Sequence, residues 1–130
     1  MQKSFRSIWL LILAISFGLA ISAPAIADQG PTITGVYSVS GTNPGSATRY
    51  RGTATISKQD GLYRMHWRVG TQYDGVGNLV GNTFTVEWGT ATAHVGTVTY
   101  VLQPDGVMKG TWYTAKNPNL LGTENLIPQK

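Results

Sequence analysis

The chain has no cysteine. That excludes a disulfide framework, a thiolate metal site and a lipid-modified N-terminal cysteine. Acidic residues are also scarce, six in 130 positions: Asp28, Asp60, Asp74, Glu87, Asp105 and Glu124. Asp60 and Asp105 belong to turn sequences, and Glu87 falls on the polar side of its strand. Only Glu124 stands in a segment whose facing leaves it open to burial. The two histidines, His66 and His94, fall on opposite strand faces, so they cannot share a metal. No phosphate loop, nucleophile motif or metal-spaced cluster occurs. These absences predict a chain that is not an enzyme and takes no cofactor. Basic residues are few as well. Removing Lys3 and Arg6, which belong to a leader, lowers the formal charge from +4 to +2. No basic patch survives that would suit nucleic acid.

The leader is the first thing present. Lys3 and Arg6 precede a nearly unbroken apolar run from Ile8 to Ser22. Ala25-Ile26-Ala27 then supplies a small-x-small cleavage site. These features predict a helical signal peptide over residues 1–27, cleaved after Ala27. The run is short for a spanning helix, which argues against a retained membrane anchor. The mature chain, residues 28–130, is expected as one domain, secreted or periplasmic, in a bacterial host.

Helical periodicity is missing from that mature chain, and alternation takes its place. Between 62 and 69, Tyr63, Met65, Trp67 and Val69 alternate with Arg64, His66 and Arg68. A period of two with large apolar residues on one side marks a half-buried strand. A loop at Gly70–Gln72 then sets Val69 beside Tyr73, Trp67 beside Gly75, Met65 beside Gly77 and Tyr63 beside Leu79. On the other face the same register sets Arg68 against Asp74. Gly81-Asn82 is a two-residue hairpin signal that pairs Leu79 with Phe84, Gly77 with Val86 and Gly75 with Trp88.

Further strands follow the same logic. Residues 34–40 place Gly35, Tyr37 and Val39 on one face. Residues 49–58 place Tyr50, Gly52, Ala54 and Ile56 on the core face, and Asp60-Gly61 pairs Ile56 with Met65 and Ala54 with Trp67. Residues 94–103 continue the core face with His94, Gly96, Val98, Tyr100 and Leu102. Pro104-Asp105-Gly106 pairs Leu102 with Met108, Tyr100 with Gly110 and Val98 with Trp112. Residues 115–119 read as a loop, and 120–127 as the last strand. Either Gly122, Glu124 and Leu126 face inward on it, or Leu121, Thr123, Asn125 and Ile127 do.

About eight strands at regular spacing predict an all-β fold, an eight-stranded antiparallel up-and-down meander barrel. A two-sheet β-sandwich is the alternative. Glycines in mid-strand permit the bends that close a sheet. A barrel of this size has an interior that side chains fill or that holds one small ligand. The meander sorts inward residues by end. Ile56, Met65, Leu79, Phe84, Leu102 and Met108 lie near the tight turns. Tyr50, Trp67, Tyr73, Trp88, His94 and Trp112 lie near the longer loops 41–48, 70–72, 89–93 and 115–119. The second group is the candidate ligand site, with a small apolar or aromatic molecule as partner. The other candidate is a protein-interaction surface made of loops 41–48, 89–93 and 115–119 or of the outer stripe Arg64, His66 and Arg68.

Several short motifs carry a resemblance. Gly35-Val36-Tyr37 is similar to the Gly-x-Trp opening of lipocalin and avidin-type barrels, with tyrosine for tryptophan, and Gly110-Thr111-Trp112 repeats the theme. GTNPG at 41–45, YRMHWRVG at 63–70, VGN at 80–82, QPDG at 103–106, KGTW at 109–112 and GTENL at 122–126 resemble small exported bacterial proteins often labelled fibronectin-binding. The resemblance implies a secreted all-β domain; the label names an extracellular protein as partner and assigns no residue of this chain to it. Residues and resemblance together predict a binding module with no membrane contact after cleavage.

Overall fold

A computed structural model describes residues 30–130 of the chain. The leader expected over 1–27, with its expected cleavage site, lies outside the described residues.

The alternating segments form eight antiparallel strands. They are β1 (Gly35–Thr42), β2 (Arg49–Gln59), β3 (Leu62–Arg68), β4 (Gln72–Val80), β5 (Thr83–Gly89), β6 (His94–Leu102), β7 (Met108–Thr114) and β8 (Asn117–Pro128). Each pairs with the next, and β1 pairs with β8, so the sheet closes into an up-and-down barrel. Closure removes every free sheet edge. The open alternative, two packed sheets, is not what forms.

The tight turns set the register. At Asp60-Gly61 both residues take positive φ, 54° and 80°, the conformation that matches the twist of a two-residue hairpin. Ile56 then sits beside Met65 and Ala54 beside Trp67. Gly81-Asn82 pairs Leu79 with Phe84 and Gly75 with Trp88. The turn after β6 pairs Tyr100 with Gly110 and Val98 with Trp112. These registers agree with those expected from sequence.

One register differs. Trp67 pairs with Tyr73, Met65 with Gly75 and Tyr63 with Gly77, because β3 ends at Arg68, which pairs with Gln72. The connection is Val69–Thr71, closed by the Val69 N–H donating to the Thr71 carbonyl at 2.9 Å. The pairing is displaced by two residues, an even step, so no side chain changes face. Trp67 still covers Gly75, but diagonally: its indole Cζ3 lies 3.0 Å from where a Cβ on Gly75 would stand. Asp74 consequently faces His66, and Arg68 does not meet it.

The last strand resolves to one of its two facings. Gly122, Glu124 and Leu126 point inward and are buried, while Leu121, Thr123, Asn125 and Ile127 are exposed. The expected loop at 115–119 is shorter, since β7 and β8 join through Ala115-Lys116, and Thr114 pairs with Asn117. A register irregularity after Trp112 lets the hairpin run on at the end of the barrel. Gly35 shares the face of Tyr37, Val39 and Gly41, pairing with Ile56, but it is the first residue of β1 and is exposed there.

The core occupies the end with the tight turns. Ile56, Met65, Phe84, Met108 and Leu126 are buried there. Phe84 stacks on Tyr100 with ring centroids 6.1 Å apart, and Tyr63 meets Phe84 edge-on at 5.6 Å. Ile33, from the lead-in before β1, is completely buried in the same cluster. The Tyr37 hydroxyl donates to the Ile33 carbonyl at 2.6 Å and ties that lead-in down. The opposite end holds the site.

Candidate functional site

Inward positions near the longer loops carry flat rings separated by glycines. Tyr50 comes from β2, Tyr73 from β4, Trp88 from β5 and Trp112 from β7. Their rings meet in sequence, each nearly perpendicular to the next. Tyr73 and Trp88 have centroids 5.1 Å apart, Trp88 and Trp112 5.5 Å, and Trp112 and Tyr50 6.1 Å. Edge-to-face contacts of this kind satisfy the ring quadrupoles. All four are only half-buried. They surround a cavity of about 230 Å³ that Trp67, Val98 and Glu124 also line, with Asn43 and Val69 at its edge.

Glu124 is the polar centre of this cavity. It is 5% exposed. One carboxylate oxygen, Oε2, accepts from Trp67 Nε1 at 2.9 Å and from the Tyr100 hydroxyl. The other, Oε1, accepts from the Tyr50 hydroxyl at 2.8 Å. Its placement follows from the strands on either side. Its register partner on β1 is Gly41 and its partner on β7 is Gly110. A Cβ on Gly41 would fall 2.4 Å from the Tyr50 hydroxyl, and one on Gly110 would fall 2.6 Å from the Tyr100 ring. Two flanking glycines therefore let two tyrosines lie across their strands and reach the same acid.

Burial raises the Glu124 pKa above its ordinary value of 4.5, with the hydrogen bonds from Tyr100, Trp67 and Tyr50 opposing that shift. Desolvation and the nearby acid in turn push the Tyr50 and Tyr100 hydroxyls upward. Tyr50 has a second acceptor within reach, the Thr123 carbonyl at 3.4 Å. A proton on Oε1 can thus be donated to Tyr50 while Tyr50 turns to Thr123, with every group still partnered. Among the described residues no buried side-chain polar atom lacks a partner.

Five of the six residues expected at the mouth are there: Tyr50, Trp67, Tyr73, Trp88 and Trp112. His94 is not. A bulge between Trp88 and Gly89 sets Trp88 beside Gly96 but Gly89 beside His94. The alternation slips, and the imidazole leaves the barrel. It is exposed and bonds Glu87 on the outer surface, Nε2 to Oε2 at 2.8 Å, where the Thr97 hydroxyl also donates to Glu87. The acid that lines the mouth is Glu124. Its signal in the sequence was the pairing of large residues with glycines on β1, β2, β6 and β7, which left room for one acid between them.

The outer stripe on β3 is partly engaged by neighbours. Arg64 Nε donates to Gln59 at 2.6 Å. His66 lies between Asp74, at 2.7 Å from Nδ1, and Gln72, at 3.1 Å from Nε2. Arg68 projects from the same exposed face. Among the described residues no three histidine, aspartate or glutamate side chains converge as a metal site would require.

No protein-family model matches the chain, and no similar sequence is found among curated proteins.

Proposed function

We propose that the protein is an exported binding module, without catalysis, that takes one small and largely flat molecule into the mouth of its barrel. The observation that carries this reading is the cavity of about 230 Å³ walled by four aromatic rings and floored by Trp67, Val98 and Glu124. A dry apolar cavity of about 150 Å³ suffices for benzene in another protein, so this one has room for a ring with a short substituent. Apolar walls with a single built polar group are the usual composition of a ligand site. The leader over residues 1–27 supports export.

The test uses residues 28–130 and a set of single-ring aromatic fragments, charged and neutral, followed by ligand-observed NMR. Saturable binding is expected, at least tenfold weaker in Trp88→Ala, with that variant still folded by circular dichroism. Equal affinity in both proteins, or no binding by any fragment, would remove the reading.

A further inference from the structure

The inner surface of the barrel carries one charge-bearing group and nothing to balance it. Every lysine and arginine among the described residues is exposed. The groups that meet Glu124 are Tyr50 from β2, Trp67 from β3 and Tyr100 from β6, all neutral donors, and its strand neighbours Gly41 and Gly110 carry no charge. A carboxylate offers about four acceptor sites. Oε2 uses two of its own and Oε1 uses one, so the remaining site belongs to Oε1, beside the mouth residue Tyr50. The walls are aromatic rings, and such a ring attracts a cation that stands over its face within about 6 Å of the ring centre.

We propose that the mouth is selective for a small organic cation, an ammonium group held among Tyr50, Tyr73, Trp88 and Trp112 with Glu124 as its counter-ion. This rests on the mouth being a ligand site and adds the charge of the ligand. A cation there supplies the only positive charge the cavity holds, and it favours the ionised form of Glu124. A neutral ligand of the same shape gains the apolar contacts alone. An anion meets the Glu124 carboxylate and is repelled.

Three probes of one shape separate these cases: choline, its uncharged carbon isostere neohexyl alcohol, and the tert-butylacetate anion. Binding is read by calorimetry and by tryptophan emission. Choline is expected to bind at least tenfold tighter than the alcohol, with the anion weakest. Glu124→Gln should bring choline to within about twofold of the alcohol. Should that variant fail to fold, the wild-type protein gives the same answer through pH. Choline affinity should rise as pH increases through the titration of Glu124, while alcohol affinity stays level; a level choline profile would overturn the proposal. So would an alcohol that binds as well as choline, an unchanged preference in Glu124→Gln, or three probes that fail where neutral fragments succeed. In those cases the mouth remains a ligand site. If neither the probes nor the fragments bind, both readings fall together.

Discussion

At the base of the barrel Phe84 stacks on Tyr100 and meets Tyr63 edge-on. At the mouth Trp88 meets Trp112 and Tyr73 with the same edge-on geometry. The base thus holds one stacked pair beside an edge-on one, while the mouth rings are all edge-on, and what lies between the rings differs as well. At the base, Ile33, Ile56, Met65, Met108 and Leu126 fill the space and are fully buried. Toward the mouth the inward rings alternate with Gly52, Gly75, Gly96 and Gly122. The space beside these glycines is taken by Trp67, Trp88, Trp112 and neighbouring backbone, so the rings lie against the strands and the cavity is what they surround. A chain this short needs most of its apolar residues for stability, and the base concentrates them in one half.

The comparison breaks most visibly by deletion. Phe84→Ala removes a fully buried ring and should cost about 3–5 kcal/mol. Trp88→Ala removes a larger ring that already has an open side, and it should cost only about 1–2 kcal/mol. Urea denaturation of residues 28–130 measures both. Equal losses would mean that the mouth rings are core in the same sense as the base, and that the cavity is incidental.

Most of the fold was legible because alternation and turn chemistry act locally. Asp60-Gly61 and Gly81-Asn82 each permit one register, and each register held. The β3–β4 register was less constrained, since a loop around Gly70 accommodates closure at either of two places two residues apart. Both leave the core face intact, so alternation could not choose between them. The facing of β8 was open for a different reason. Its two candidate faces both carry leucine, and the choice is made by partners far along the chain: Trp67, Tyr100 and Tyr50 converge on Glu124 only after the barrel closes through β1 and β8. The aromatic wall was readable residue by residue, while its polar centre was a property of the closed ring of strands.

A second prediction sharpens the contrast through pH, because the mouth holds a buried acid and the base does not. The folded protein holds the proton of Glu124 more firmly than the unfolded chain, since its pKa is raised above 4.5 by burial. Unfolding therefore loses a proton between the two values, and stability falls as pH rises. The contribution is complete below the ordinary glutamate value and gone once pH passes the folded value. Tyr50 and Tyr100, both pushed upward, stay neutral throughout. Glu124→Gln removes this dependence. The stability difference between wild type and variant, from urea midpoints at a series of pH values, should shrink steadily from acid to neutral. A difference that does not change with pH would show that the acid titrates alike in both states.

The smallest effect is expected at His94, one of the six residues that the sequence placed at the mouth. His94 alternates in phase with Gly96, Val98 and Tyr100, and an unbroken ladder would have placed its imidazole in the mouth. The bulge at Trp88 and Gly89 supplies the one-residue slip that puts it outside. There it meets Glu87 with both side chains more than half exposed, at 53% and 58%. Exposed pairs of this kind contribute at most about 1 kcal/mol. His94→Ala should therefore change stability by no more than about 0.5 kcal/mol and leave fragment binding at the mouth within about twofold. Calorimetric titration of the variant beside wild type checks this directly. A tenfold loss of binding would mean that the bulge relaxes when a ligand enters and returns the histidine to the interior, which would make the β5–β6 connection part of the site.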